Sequence, residues 1–174
     1  MDDRLKRALA EARSVRFLCT GNAVRSAFAE LYARHLGCPL PVDSAATRFQ
    51  NTELFAETRA ALAARGVARE AYASFRPRHL RALGPQGEGE LASCVVFGMT
   101  ADHLDAWRAL HPGHERVFLL GALLGAGDPI ADPVLDGASF EDAFATLERC
   151  VRALVDRLAG RGGGSERATP PESG

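Results

Sequence analysis

The most informative segment of the sequence is Val15-Arg16-Phe17-Leu18-Cys19-Thr20-Gly21-Asn22-Ala23-Val24-Arg25-Ser26. Its beginning, residues 15–19, is a short apolar run typical of a buried strand, and Gly21-Asn22 interrupts that run. From Ser26 to Leu36 the apolar residues return at helical spacing, and Gly37 is a stop signal. The segment therefore predicts a strand, a tight loop and a helix, in that order.

The rest of the chain continues this alternation of strands and helices. The sequence predicts strands at residues 41–46, 91–99 and 117–120, helices at 2–13, 54–65, 78–83, 102–110 and 140–158, and loops at 84–89 and 121–137. We therefore expect an α/β fold, a three-layer sandwich in which a four-stranded parallel sheet carries helices on both faces. Ligands of such folds bind beyond the carboxyl ends of the strands, and the first predicted strand ends at Cys19.

Composition limits the range of functions. The chain has 174 residues, enough for one domain with its own core, and its formal net charge is -1. We expect no general attraction to nucleic acid or to an anionic membrane, so a local site has to capture any anionic ligand. No apolar stretch approaches the roughly 20 residues that cross a bilayer. The charged N-terminal segment lacks the apolar core of a secretory signal, and a cytoplasmic location is the expectation.

The loop after the first strand has the composition of an anion-binding site. Its backbone N–H groups can converge on an anion, and the N-terminus of the following helix adds free donors and the positive end of a dipole. A cysteine in such a loop is stabilised as the thiolate, which is the nucleophilic form. Arg25 can hold two phosphate oxygens with its planar guanidinium, and Ser26 can donate a hydrogen bond to the sulfur.

Two further residues suit a tight loop, because Gly21 permits close backbone approach and Asn22 tolerates a left-handed conformation. We therefore predict a phosphate-binding loop after the first strand, made of Thr20, Gly21, Asn22, Ala23, Val24, Arg25 and Ser26. An arginine six positions after a cysteine is a weak pattern by itself, and the loop lacks the Walker GxxxxGK[ST] pattern. The remaining cysteines form no CxxC pair and are interpreted as small buried hydrophobic residues: Cys38, Cys94 and Cys150.

Several blocks along the chain together resemble the low-molecular-weight protein tyrosine phosphatase family. They are residues 15–22 with Arg25-Ser26 and Ala29-Glu30, residues 42–47, residues 117–121, and Ile130-Ala131-Asp132-Pro133 followed by Phe140. The resemblance spans residues 14–159 and implies a phosphatase-like domain there. Residues 1–13 are then an N-terminal helical extension, and residues 160–174, rich in Gly, Ser, Pro and Glu, are a predicted disordered tail.

This resemblance implies a protein tyrosine phosphatase, which hydrolyses phosphomonoesters through a cysteinyl-phosphate intermediate and has a phosphorylated protein as substrate. Cys19 would be the nucleophile, Arg25 would bind the equatorial phosphate oxygens, and Asp132 would be the general acid. Inorganic phosphate or a similar oxyanion would occupy the site, and neither a metal nor a cofactor is implied, since arginine and backbone donors supply the electrostatic stabilisation.

The resemblance also implies supporting residues for the loop. Asn22 would brace the loop by bonding Ser44, and Ser26 would stabilise the thiolate. The Asp128-Pro129 pair competes with Asp132-Pro133 for the position of the acid, and only Asp132 matches the family block. The histidines give little indication of a functional role, and three of them are interpreted as surface residues: His103, His111 and His114.

The chain departs from the family pattern mainly around specificity. Val24 replaces a common cysteine, which predicts that the nucleophile has no neighbouring disulfide partner, and Ala23 replaces a larger residue. Val134 replaces an aromatic residue that often follows Asp-Pro, and Phe75 stands where the family has a histidine. Phe49 is a remaining candidate for an aromatic wall. The resemblance thus supports phosphomonoester hydrolysis more strongly than it supports phosphotyrosine as the substrate.

Two other functions compete with the phosphatase hypothesis. An arsenate reductase-like oxidoreductase on a related fold would use the same loop but needs further thiols to resolve the modified cysteine. Cys94 lies inside a predicted strand, which disfavours the version with a cysteine pair in the chain and leaves a small-thiol version open. A non-catalytic anion-binding protein is the other alternative, and the joint presence of Cys19, Arg25 and Asp132 argues against it.

Overall fold

The computed structural model of the protein describes residues 1–83 and 88–161. A single parallel sheet lies at its centre, formed by β1 (Ser14–Cys19), β2 (Val42–Ala46), β3 (Cys94–Gly98) and β4 (Val117–Leu119). The strand order is β2-β1-β3-β4. After β1 the chain adds β2 on one side of it, and it then crosses to the other side of β1 to add β3 and β4. The ends of β1 and β3 flank the point where the strand order reverses, which is where α/β folds place their ligand crevice.

Helices cover both faces of this sheet, as the sequence predicts. In the described part of the chain the α-helices are α1 (Asp3–Glu11), α2 (Arg25–His35), α3 (Ala56–Ala64), α4 (Arg69–Ala73), α5 (Glu88–Ala92), α6 (Ala101–Leu110) and α7 (Phe140–Ala159). Short 3-10 helices occupy Leu80–Leu83 and Leu120–Leu124. Within the described residues, none of these helices combines the length and the apolar character that a bilayer span requires.

Alternation along β1 divides the core into two layers. Phe17 joins the larger cluster, which packs against α2 and α7, and the next residue, Leu18, joins the smaller cluster around Trp107 of α6. Successive side chains of a strand point to opposite faces, so a β1 buried on both faces requires a run of apolar residues. That requirement explains why residues 15–19 are nearly continuous in hydrophobicity.

The N-terminal helix packs against the body of the molecule. Leu5, Ala8 and Leu9 are buried in the larger cluster, and the guanidinium of Arg4 lies 5.3 Å from the centre of the Phe118 ring. The boundary predicted after residue 13 stays a prediction. At the other end, residues 162–174 of the predicted tail lie outside the described residues.

Two predicted elements differ from the structure. Leu91 and Ala92 belong to α5, although the sequence predicts a strand over 91–99. Apolar residues lie on both sides of Ser93, so their pattern does not show that a helix ends and β3 begins there. The hydroxyl of Ser93 donates to the carbonyls of Gly89 and Glu90 at the end of the helix, and pairing with β1 begins only at Cys94. Gly89 therefore lies in a helix and not in the predicted 84–89 loop, of which residues 84–87 are outside the described residues.

The predicted helix at 78–83 is shorter in the structure. Arg78 lies outside it, since its carbonyl accepts from the backbone N–H of Ala46 at 2.8 Å and its own N–H donates to Asn22 Oδ1 at 2.9 Å. These bonds attach this segment to the end of β2 and to the loop that follows β1. The predicted 121–137 loop begins with a 3-10 turn, and α4 is an element that the sequence did not predict.

Candidate active site

The loop at residues 20–24 joins the end of β1 to the start of α2 and holds the sulfur of Cys19 at its centre. The Cys19 Sγ lies 2.9 Å from Ser26 Oγ and accepts the backbone N–H of Asn22 at 3.3 Å. Cys19 is buried, with 3% of its surface exposed. Helix α2 begins directly behind the loop without a side-chain N-cap, so the N–H groups of its first turn have no side-chain acceptor in the described structure.

Asn22 is the main support of the loop. Its side-chain amide donates to Ser26 Oγ at 2.9 Å and to Ser44 Oγ at 2.7 Å, and its Oδ1 accepts the backbone N–H of Arg78 at 2.9 Å. Both amide hydrogens and the carbonyl oxygen are therefore used. Because Ser26 Oγ accepts from Asn22, its own hydrogen is available to donate to the Cys19 sulfur, which stabilises a thiolate.

The network continues to a buried carboxylate that the sequence analysis did not assign a role. The Ser44 hydroxyl donates to Glu30, whose other oxygen forms an ion pair with Arg34 at 2.6 Å. Burial raises the pKa of Glu30, and the bond from Ser44 and the charges of Arg34 and Arg78 oppose that shift. Glu30 lies in the Ala29-Glu30 block that belongs to the resemblance, and this was the signal available in the sequence.

Asn22 adopts a left-handed backbone conformation, with φ of 55°. Substitutions at this position can therefore separate the contribution of its side-chain hydrogen bonds from that of its backbone conformation. We expect Asn22→Gly to destabilise the fold by about 2 kcal/mol, because it leaves buried partners without their hydrogen bonds. Asn22→Ala should cost about 1 kcal/mol more, because a Cβ is disfavoured in this conformation. Urea unfolding of both variants measures the difference. Equal stabilities would show that backbone conformation is not a constraint at this position.

Arg25 is almost fully buried, with 1% of its surface exposed, and its guanidinium is held at several points. Nη1 donates to the carbonyl of Ile130 at 2.8 Å, and Nη2 donates to Thr20 Oγ1 at 3.1 Å and to the carboxylate of Asp132. A buried arginine charge requires such partners. The guanidinium thus has one fixed position beside the loop, and Asp132 is its counter-ion.

Asp132 is positioned by the backbone of its own turn. Its Oδ1 accepts the N–H of Val134 at 2.9 Å, and its own N–H donates to Asp136 Oδ2 at 2.8 Å. The competing residue, Asp128, is exposed, and it is not among the residues that line the pocket over Cys19. The backbone carbonyl of Asp128 instead lies against Gly121, where a Cβ would be only 2.1 Å from that oxygen.

A pocket lies over the sulfur and has polar groups at its floor and apolar side chains on its walls. Cys19, Arg25 and Asp132 all line it. The walls are formed by Phe49, Phe55, Val134 and Leu135. Phe49 is 46% exposed at the rim and packs close to Gly21, where an added Cβ would lie 3.0 Å from the ring.

The predicted loop residues fall into two groups. Thr20, Gly21, Ala23 and Val24 line the pocket together with Cys19 and Arg25. Asn22, Ser26 and Ser44 are fully buried behind them and support the loop. Phe75, which stands where the family has a histidine, is buried in the larger core cluster.

The interpretation of the histidines as surface residues is wrong for His103. It is 2% exposed, and its Nε2 lies 3.1 Å from Thr20 Oγ1, next to the floor of the pocket. Burial, with a contribution from the charge of Arg25, lowers the pKa of His103 to about 4, while Asp132 opposes the shift. The signal in the sequence was the spacing Thr100-x-x-His103 at the start of α6, which is a capping-box pattern.

A buried cysteine sulfur in a strand–loop–helix turn, with a guanidinium and a carboxylate at the same pocket, defines the class of cysteine-based phosphatases. The comparisons with known proteins agree. The family model described as low molecular weight phosphotyrosine protein phosphatase matches residues 14–162. The chain belongs to the low molecular weight phosphotyrosine protein phosphatase family. Comparison with curated proteins gives no match.

Solved structures show the same fold. The YwlE arginine phosphatase from Geobacillus stearothermophilus is 23% identical, with 90% of this chain and 99% of that chain covered and a TM-score of 0.71. The tyrosine phosphatase AmsI of Erwinia amylovora is 19% identical, with 85% and 94% covered and a TM-score of 0.69. The tyrosine phosphatase Wzb from Escherichia coli K30, in complex with sulphate, is 22% identical, with 84% and 99% covered and a TM-score of 0.68.

Proposed function

We propose that this phosphatase hydrolyses phosphotyrosine in proteins, with Cys19 as nucleophile, Arg25 as phosphate-binding residue and Asp132 as general acid. The observation that carries the proposal is that these side chains line one pocket at the carboxyl end of β1. A nucleophile, an oxyanion-binding group and a proton donor at one pocket are the groups that this reaction requires.

In the first step the Cys19 thiolate attacks phosphorus, and a sulfur–phosphorus bond forms as the bond to the leaving oxygen breaks. Asp132 gives its proton to that oxygen, so the leaving group departs as a neutral alcohol. In the second step a water molecule attacks phosphorus, the Asp132 carboxylate accepts its proton, and the sulfur–phosphorus bond breaks. Ser26, whose Oγ is 2.9 Å from the sulfur, stabilises the thiolate that is released.

The contact between Arg25 and Asp132 connects phosphate binding with proton donation. A phosphoryl dianion that enters the pocket competes with the Asp132 carboxylate for the guanidinium. Protonation of Asp132 weakens that ion pair, so the proton that the leaving group needs also frees Arg25 for the phosphoryl oxygens. Loop N–H groups and the N-terminus of α2 add further positive potential at the same place.

The walls of the pocket support an aromatic substrate. Phe49, Val134 and Leu135 remain between 44% and 52% exposed at the rim, and they can cover a tyrosine ring. Phosphoserine is too short to use these walls, and the cationic guanidinium of phosphoarginine would lie against apolar groups. We infer that phosphotyrosyl proteins are the substrates and inorganic phosphate the product. A cytoplasmic location stays a prediction.

Phosphate release from matched peptides tests the substrate class. We expect kcat/KM to be highest for the phosphotyrosyl peptide and about tenfold or more lower for the phosphoseryl and phosphoarginyl versions, since both lose the aromatic contact. Phe49→Ala should lower the phosphotyrosyl value about fivefold and leave acetyl phosphate hydrolysis nearly unchanged. Leu124→Ala is the matched control, because Leu124 is similarly exposed, at 42%, but does not line the pocket. Faster phosphoarginine hydrolysis would contradict the substrate proposal.

The arsenate reductase hypothesis finds less support. All four cysteines lie in the described part of the chain, and Cys94 and Cys150 are buried in β3 and α7. Burial raises the pKa of Cys150 to about 11, which keeps its thiol protonated and unreactive. Neither Cys38, Cys94 nor Cys150 is among the residues that line the pocket over Cys19.

A further inference from the structure

The hydroxyl of Thr20 lies between two donors at the floor of the pocket. Arg25 Nη2 donates to Thr20 Oγ1 at 3.1 Å, and His103 Nε2 lies 3.1 Å from the same oxygen. Thr20 is 7% exposed and lines the pocket with Cys19. A side chain of α6 thereby reaches the loop that binds phosphate, through a contact between residues 83 positions apart.

The other nitrogen of His103 determines the tautomer. Nδ1 lies 3.1 Å from the backbone N–H of Thr100, which donates to it within the capping box of α6. A ring nitrogen that accepts carries no proton, so the proton of the neutral imidazole is on Nε2. Nε2–H therefore donates to Thr20 Oγ1. Both lone pairs of that oxygen are then occupied, by Arg25 and by His103.

The hydrogen of the Thr20 hydroxyl takes part in neither of these bonds, so it can donate to an acceptor in the pocket. A protonated His103 could not accept from Thr100, and it would place a second positive charge near Arg25. The lowered pKa of His103, caused first by burial and then by Arg25 and opposed by Asp132, keeps the imidazole neutral around pH 7. The arrangement is consistent only with the neutral form.

We infer that His103 is a positioning residue, which fixes Thr20 so that this hydroxyl both holds Arg25 and donates its own hydrogen to an oxygen of the bound phosphoryl group. The inference rests on the proposed phosphate-binding function of the pocket. His103 itself does not line the pocket over Cys19 and acts only through Thr20. A preorganised donor of this kind contributes without reorganising during the reaction.

Amide replacements at His103 separate positioning from helix capping. Asparagine places an acceptor where Nδ1 lies and retains the cap, but it cannot reach Thr20. Glutamine places a donor where Nε2 lies and retains the contact with Thr20, but it loses the cap. We therefore expect His103→Asn to lower kcat/KM for p-nitrophenyl phosphate about tenfold and to weaken inhibition by vanadate by a similar factor. His103→Gln should recover most of both values, although its melting temperature falls further.

Thr20 provides a second pair of variants that does not disturb α6. Thr20→Val should show the same losses as His103→Asn, and Thr20→Ser should be close to the unmodified protein. The double variant Thr20→Val/His103→Asn should be no less active than Thr20→Val, because both substitutions remove the same hydrogen bond between His103 and Thr20. Equal losses in His103→Asn and His103→Gln, or losses that multiply in the double variant, would overturn the inference. A protein that hydrolyses no phosphate ester before any substitution would instead refute the proposed function.

Discussion

Cys19→Ser is expected to abolish phosphatase activity, with a loss of about 10⁴-fold or more in kcat. A serine hydroxyl is not ionised near neutral pH, so the loop no longer presents an anionic nucleophile to phosphorus. The fold should be retained, because the oxygen is smaller than sulfur and can still bond Ser26 and the N–H of Asn22. Release of p-nitrophenol from p-nitrophenyl phosphate measures the loss, and mass spectrometry of rapidly quenched unmodified protein should detect one phosphate on Cys19.

Cys38→Ser is the matched control for this variant. Cys38 is partly buried beyond the far end of α2, and it does not line the pocket. Its replacement should leave kcat within about twofold of the original, because the change is conservative and lies away from the pocket. Comparable activity in Cys19→Ser and the unmodified protein would refute the cysteinyl-phosphate mechanism.

Asp132→Asn is expected to lower kcat for a phosphotyrosyl peptide by about 10²- to 10⁴-fold, the usual contribution of general acid catalysis. The single amide oxygen of asparagine can accept either from the N–H of Val134 or from Arg25, which now bond different carboxylate oxygens, and the side chain has no acidic proton to give to the leaving oxygen. The loss should be smaller for p-nitrophenyl phosphate, because p-nitrophenolate leaves without full protonation. Vanadate should still bind, since the phosphate-binding loop is unchanged.

Asp128→Asn is the control for the choice of acid. Asp128 is an exposed residue of the same segment and also precedes a proline, so the two variants differ mainly in access to the pocket. We expect Asp128→Asn to keep nearly full activity on both substrates. If the loss occurs in Asp128→Asn and not in Asp132→Asn, the assignment of the acid is wrong.

Local sequence was sufficient to predict the unit that holds the sulfur. The strand, the loop and the start of α2 are contiguous, so the residues that form this unit are neighbours in the chain and their spacing carries the structural information. The same holds for α7, whose apolar stripe is long and regular. Asp132 is distant from Cys19 in sequence, and only the resemblance of its block to the family made it a candidate.

Tertiary contacts were needed to locate two kinds of feature. One is the boundary between elements that are both apolar, and the other is the position of polar residues whose partners are distant in the sequence. The division between α5 and β3 depends on where pairing with β1 begins, which the apolar residues on both sides of Ser93 do not reveal. The exposed position of Asp128 and the burial of His103 depend on how loops and α6 pack on the end of the sheet. Such packing is a property of surfaces brought together by folding, and side-chain type alone does not encode it.

The amino-acid sequence by itself determined the α/β architecture and the position of Cys19 at the end of the first strand, and it was enough to propose the phosphate-binding loop and the three residues of the reaction. Only the tertiary structure decided which partners hold those residues: Glu30 behind Ser44, and His103 behind Thr20. The physical reason is that propensity and periodicity act between near neighbours in the chain. Buried hydrogen bonds instead join groups from separate elements, and their pairing follows from the assembled core.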